Sequence, residues 1–366
     1  MAGSTIGNSF RITTWGESHG KALGAVIDGC PAGLQLSEED IQVFLNRRKP
    51  GQSKFTTARG EGDEVEILSG VFEGVTTGTP ISVMVRNADQ HSKDYSDIAR
   101  VYRPGHADYT FMEKYGIRDY RGGGRSSGRE TIGRVAGGAV ASKILETLGI
   151  TVCAYTKSIG EIGISHVNLE EMESNQLYMP DTEAATRAAA YLEECIKRQD
   201  SAGGVIECVI SGMPVGIGEP VFDKLDANLA KAMLSIGAVK GFEIGDGFAA
   251  ARANGSTNND AFVGDGEAVY KATNHAGGVL GGMSDGSDVI FRVAIKPTPS
   301  ISQPQQTVNE DGEQVEISIH GRHDPIIVPR AVVVVECMAA MTVLDLLYAN
   351  QSARLEFLQD FYNKQE

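Results

Sequence analysis

The sequence predicts an α+β fold, and three observations carry that prediction. Strand-like runs bounded by glycine or polar turns recur at 9–15, 22–28, 65–72, 79–85, 150–158, 204–212, 289–296 and 315–319. Stretches with helical apolar spacing lie between them, after Ser37, after Ser127, over about 182–198 and 223–236, and from Pro329 onward. The chain has 366 residues, 41% of them hydrophobic and 22% charged, so a sizeable core can be buried.

From the N-terminus, the first two strands flank Gly16-Glu17-Ser18-His19-Gly20. That pentapeptide fits the G-x-S-x-G nucleophile elbow, which would make Ser18 an acyl-transfer nucleophile. Only seventeen residues precede Ser18, whereas an elbow follows several strands, so the segment reads as a glycine-bracketed turn projecting Ser18 and His19 into a site. A histidine satisfied locally in a turn is the plainer alternative. Ser37-Glu38-Glu39-Asp40 opens a helix with Ile41, Phe44 and Leu45 in register, and Pro50-Gly51 stops it. The cations Arg47, Arg48, Lys49, Lys54 and Arg59 then make a local inversion of sign in an acidic chain. Residues 65–72 and 79–85 read as a strand pair, and 87–103 as a loop. That loop ends in Arg103-Pro104-Gly105-His106-Ala107-Asp108, where a Pro-Gly turn presents His106, a second candidate for proton transfer.

The stretch with most chemical content is Arg121-Gly122-Gly123-Gly124-Arg125-Ser126-Ser127-Gly128-Arg129-Glu130-Thr131. Consecutive glycines clear a short backbone of side chains, so its amides can close on an anion beside Arg121, Arg125 and Arg129. Ser127 and Glu130 have capping-box spacing, an apolar stripe runs from Ile132 to Leu148, and Gly149 is placed as the stop. Such a turn at a helix N-terminus is an anion site, because unpaired N–H groups and the helix dipole point the same way. Gly245-Asp246-Gly247-Phe248-Ala249-Ala250 fits a dinucleotide fingerprint, but a polar segment follows instead of a helix, so the match is accidental. The 274–286 segment holds five glycines and suits a backbone pressed against a planar ligand. On the last long helix Asp345 shares a face with Met338, Met341 and Thr342; such a carboxylate is either capped by a partner, poised with a raised pKa, or escaping to solvent. His91, His166, His275 and His320 default to structural or surface roles.

The net charge of −15 argues against nucleic acid or a membrane surface as partner, since the summed field repels polyanions. Anionic small ligands would have to be caught by local basic clusters. Five cysteines without C-x-x-C spacing read as reduced packing residues of a cytoplasmic protein, and no metal site is apparent. Neither a signal peptide nor a run of eighteen apolar residues is present, so no membrane span is expected.

Widely separated motifs then agree with one family. GESHG at 16–20, RRKPG at 47–51, RPGHAD at 103–108, RGGGRSSGRET at 121–131, AVKGFEIGDGF at 238–248, HAGGVLGGMSDG at 275–286, KPTPS at 296–300 and GRHDP at 321–325 closely resemble the chorismate synthase family. The resemblance implies one domain over 1–366, a large β-α-β sandwich, and a homotetramer. It implies conversion of 5-enolpyruvylshikimate 3-phosphate to chorismate by 1,4-elimination of phosphate, with reduced FMN required and no net redox change. It places FMN against Arg125, Ser126, Ser127, Gly237, Ala238, Gly281, Lys296, Pro297, Thr298, Pro299, Ser300 and Arg322, and substrate or NADPH against Arg48, Lys54 and Arg129. Lys54 and Pro299 depart from the arginine and serine frequent at those positions. The implied roles are His19 protonating the departing phosphate, His106 setting the protonation of the reduced flavin, and Asp345, relayed through Ser18 or Ser127, accepting the proton. FMN would be reduced by NADPH or by an external flavin reductase. Two rival classes stand beside this reading: a serine hydrolase built on Ser18, and a noncatalytic binder of phosphorylated metabolites.

Overall fold

The structure, a computed structural model, describes residues 3–56, 62–87, 99–264, 266–319 and 324–363. Arg59, His91, His320, Arg322 and His323 lie outside the described residues. The N-terminal strands form as expected: Thr5–Ile6 (β1), Arg11–Gly16 (β2) and Ala22–Asp28 (β3) pair antiparallel in succession. Ile81–Arg86 adds to β3, and Val65–Ile67 adds to Ile81–Arg86, which completes a five-stranded sheet. The run read as one strand at 65–72 is broken after Ile67, and Val71–Phe72 instead makes a small hairpin with Val75–Thr76. A second antiparallel sheet has the order 239–244, 289–295, 204–211, 151–159, 162–163. Its first strand, Val239–Ile244, was not anticipated.

Helices fill the space between the sheets. Glu38–Arg48 (α1) starts where the sequence places a helix, and Ser37 and Asp40 close a reciprocal capping box there. Asp108–Tyr115 (α2) was not anticipated. Thr131–Thr147 (α3) lies on the first sheet and against the 23-residue helix Val328–Asn350, which in turn packs on the second sheet. The architecture is therefore α+β, a β-α-β sandwich with a continuous apolar core from Phe10 to Leu346. Glycine permits the close layers. A Cβ at Gly133 would lie 2.8 Å from Thr14 Cγ2 on the sheet, and one at Gly138 only 2.1 Å from Cys337 Cβ on the neighbouring helix. Each helical glycine costs about 1 kcal/mol relative to alanine, which the tighter packing offsets. Gly149 ends α3 in the left-handed region with φ 74°, where its amide reaches Glu146 O and the next reaches Leu145 O. Val328–Asn350 is long and apolar enough to cross a membrane by composition, but it is the central helix, with 78% of its most apolar window buried in the protein.

Candidate active site

Three motifs far apart in sequence meet at the consecutive glycines. A Cβ at Gly122 would stand 2.8 Å from His19 Nε2 and 3.2 Å from Ser18 Oγ, and one at Gly123 would stand 3.1 Å from His106 Cε1 and 3.0 Å from Ser126 Oγ. Both glycines have left-handed φ, 76° and 84°. The turn thus needs glycine twice over, for its backbone and for the two imidazoles against it.

The buried scaffold beneath was not readable from the sequence. Asp63 lies under the helix entrance and takes Arg48 Nη1 on one carboxylate oxygen at 2.9 Å and Arg129 Nη1 on the other at 3.1 Å. Arg48 also donates to Thr131 Oγ1 at 3.0 Å and to Gly128 O at 2.8 Å. Burial, then repulsion from Arg330, pushes the Arg48 guanidinium down to about 10. Asn87 staples the histidine turn to this cluster: its amide donates to Glu17 O at 3.0 Å and Gly20 O at 2.8 Å, and its oxygen accepts from Arg129 Nε at 3.0 Å. Arg134 performs the same service on the other side, tying Glu130 at 2.8 Å to Ser235 at 2.6 Å, just before Gly237 and Ala238.

A fourth segment completes the rim. Lys296 Nζ donates to Gly105 O at 2.8 Å, a Cβ at Gly105 would meet Pro299 Cβ at 3.2 Å, and Lys296 N donates to Ala238 O at 2.9 Å. Burial and the nearby Lys240 hold the Lys296 ammonium below its ordinary range. Ala238 has φ 73°, a strained conformation for a residue with a Cβ, of the kind concentrated at functional sites. Thr298 Oγ1 is buried without a hydrogen-bond partner among the described residues, although its carbonyl accepts from Ser201 at 2.7 Å. An orphaned hydroxyl on a segment packed against the Gly105 turn fits a polar planar ligand such as a flavin. Ser300 is buried at the end of the same segment, which Pro297 enters exposed.

Several expected residues are placed differently. Arg125 is a strut: its guanidinium donates to Thr14 Oγ1 at 2.6 Å, Thr14 O at 3.2 Å and Gly16 O at 3.1 Å, because these are the acceptors beside it at the end of β2. Arg121 pairs with Asp119 at 2.9 Å on the surface. Ser127 caps a 3-10 turn, accepting from Arg129 N at 3.3 Å, while Glu130 turns to Thr14 and Arg134, so no capping box closes. Asp345 accepts three consecutive backbone amides, from Asn8 at 2.9 Å, Ser9 at 2.7 Å and Phe10 at 3.0 Å. It is a clamp on the chain entering β2, the capped alternative of its sequence reading. Lys54 is exposed and pairs with Glu193. Gly281 sits at the tip of the Val279–Leu280 and Met283–Ser284 hairpin, where an added Cβ would meet only Met283. Ser18 Oγ lies 3.4 Å from Gly122 O rather than on a histidine nitrogen, which gives no support to a hydrolase. A separate cleft of about 230 Å³ lies between Arg47, Gln52, Asn175, Tyr178 and Arg330. Its arginines are already matched, Arg47 with Glu336 at 2.7 Å and Arg330 with Asp324 at 2.5 Å, so it lacks the chemistry of the glycine turn.

Comparison with known proteins gives matches over the whole fold. The family model described as chorismate synthase matches residues 10–348. A chorismate synthase of Agathobacter rectalis is 68% identical over 366 residues, covering all of both chains. One from Methanocella arvoryzae is 55% identical over 350 residues, covering 94% of each. A crystal structure of a chorismate synthase, 32% identical, superposes with a TM-score of 0.76 over 98% of both chains.

Proposed function

The chain belongs to the chorismate synthase family, and from that premise we propose how its residues divide the work. The reaction is that of a lyase of the shikimate pathway, 1,4-elimination of phosphate from 5-enolpyruvylshikimate 3-phosphate to give chorismate. The observation that carries the site assignment is the pairing of His19 and His106 with consecutive glycines, 2.8 and 3.1 Å from the Cβ each lacks. His19 would protonate the departing phosphate. Its turn is held by Asn87 on Arg129, so the acid would be fixed relative to the buried Arg48–Asp63–Arg129 cluster, which would face the substrate's anionic groups. Arg48 and Arg129 would act on those groups mainly through their field, since both side chains are buried.

We assign reduced FMN to the rim formed by Ser126, Ser127, Gly237, Ala238 and Lys296 through Ser300, supported by the unpartnered Thr298 hydroxyl and the cleared glycine backbone. Arg322 belongs to the same assignment by motif alone. When bound, reduced FMN would supply electron density as the C3–O bond breaks and recover it as hydrogen leaves C6. Lys296 would place a positive charge at this rim, and Asp345, as a clamp, would fix the chain leading to His19. The working form is a cytoplasmic homotetramer in which residues 1–366 act as one unit, fed with reduced flavin by NADPH or by an external reductase.

Anaerobic assay of chorismate formation tests the reading. Turnover is expected with reduced FMN and absent with oxidised FMN alone; turnover by flavin-free protein would overturn the cofactor assignment. Starting from oxidised FMN with and without NADPH identifies the source of reduction.

A further inference from the structure

The sequence Arg103-Pro104-Gly105-His106 closes a turn in which His106 N donates to Arg103 O at 3.2 Å and Gly105 takes φ 66°, the left-handed third position that favours glycine. The turn folds Arg103, His106 and Asp108 onto one another. Asp108, 3% exposed at the start of α2, receives Arg103 Nε at 2.6 Å and Arg103 Nη2 at 2.8 Å, with Arg118 Nη1 at 3.3 Å. Burial alone would raise this carboxyl, but the hydrogen bonds from Arg103 outweigh it and hold the group far below the ordinary carboxylate range.

Arg103 Nη2 also lies 3.1 Å from His106 Nδ1, and Asp108 Oδ1 lies 3.0 Å from the same nitrogen. The two neighbours make opposite demands. A guanidinium can only donate, so Nδ1 facing it must present a lone pair, and a neutral imidazole then carries its hydrogen on Nε2. A carboxylate can only accept, so it receives Nδ1–H when the ring is protonated. The imidazole's opposite edge, Cε1 and Nε2, is the part that faces the Gly123 turn.

We propose that Arg103, locked by Asp108, is a positioning residue that keeps a hydrogen on His106 Nε2 in both charge states, making the ring a standing donor to an anionic atom of the bound ligands. This rests on the reading of His106 as a site residue and deepens it: the ring stabilises negative charge at the turn. The groups around it suit that task. Arg103 and Arg118 both approach Asp108, Lys296 stands on the Gly105 carbonyl, and Glu310 lies 3.4 Å from Arg118. Ser126 approaches Gly123 beside the ring.

Selective 15N-histidine NMR of the full-length, ligand-free protein tests this without recourse to activity, with His106 identified by the resonance lost in His106→Gln. The expected spectrum of the neutral ring has hydrogen on Nε2 and a lone pair on Nδ1. In Arg103→Leu only Asp108 faces Nδ1, so the hydrogen should move there. The same variant should lose about a hundredfold in kcat, the scale of one removed donor, with KM changed less, and Arg103→Lys should restore the Nε2–H form. Wild-type protein with hydrogen on Nδ1, or a tautomer indifferent to Arg103→Leu, overturns the proposal. Should Arg103→Leu fail to fold, the wild-type spectrum alone still decides. Absence of chorismate formation by wild type would instead strike the functional assignment, whatever the tautomer.

Discussion

Arg47 and Arg48 are neighbours on α1, about 100° apart around the helix, and they enter two different kinds of buried ion cluster. Arg47 meets Glu336 one to one, with two parallel bonds of 2.7 and 2.9 Å, and Glu336 also accepts Ala154 N at 3.3 Å. Burial works against the Arg47 charge, but the Glu336 hydrogen bond and its field more than compensate, so the guanidinium is held above its ordinary range. Arg48 must share Asp63 with Arg129, and its guanidinium is pushed down to about 10. The first cluster is electrically closed and ties α1 to the central helix and the second sheet. The second gathers two guanidiniums on one carboxylate beneath the helix entrance, beside the histidine turn. The one-to-one pair serves the fold; two guanidiniums gathered at the glycine turn would bring positive charge toward an anionic substrate.

If that contrast is right, damage to the two clusters should separate stability from chemistry. The largest effect is expected from Glu336→Ala, which strands Arg47: about 3–5 kcal/mol of stability lost by urea unfolding, with turnover per folded molecule unchanged. A large fall in turnover of the folded fraction would show that the balanced pair also serves the site. His19→Ala should do the reverse, losing about 10²–10⁴-fold in turnover, or roughly 2.7–5.5 kcal/mol of barrier, with substrate affinity kept. A variant within a few-fold of wild type removes His19 from the mechanism. Arg125→Lys keeps charge but loses the fork on Thr14 and Gly16; thermal unfolding should show a loss of about 1–2 kcal/mol. An Arg125→Lys enzyme of unchanged stability with weakened FMN binding would mean that Arg125 leaves its strut for the cofactor. The smallest effect is Ser127→Ala, about 1 kcal/mol for a lost cap in unfolding of the ligand-free protein; no change would show that the 3.3 Å contact to Arg129 N is idle.

Short-range features were legible in the sequence. The β2–β3 pairing, the Ser37 cap, the α3 stripe with its Gly149 stop and the glycine turn all depend on residues within a few positions of one another. What failed was the direction in which long side chains reach. Nothing near Arg125 announces that its acceptors are on β2, more than a hundred residues back, and the spacing around Asp345 says only that it needs a partner, which turns out to be the backbone of 8–10. Asp63, Asn87 and Arg134, the residues that join the motifs, sit in no motif themselves, so composition offered no signal for them. α2 was hidden for a different reason: it starts at a carboxylate committed to Arg103 and has no side-chain cap. The sandwich followed from family resemblance, since no local pattern says which sheet faces which helix.

The central claim, that the Arg48–Asp63–Arg129 cluster serves the substrate site whereas the Arg47–Glu336 pair serves the fold, is tested most directly by calorimetric titration of 5-enolpyruvylshikimate 3-phosphate into Arg129→Ala and Glu336→Gln beside wild type. Arg129→Ala leaves Asp63 to Arg48 alone, a one-to-one pair like that of Arg47 and Glu336, so it should fold yet bind substrate about ten- to a hundredfold more weakly, the scale of 1.5–3 kcal/mol for one charge-assisted contact. Glu336→Gln should bind with wild-type affinity. Equal affinities for all three proteins, or a loss in Glu336→Gln matching that in Arg129→Ala, would contradict the account.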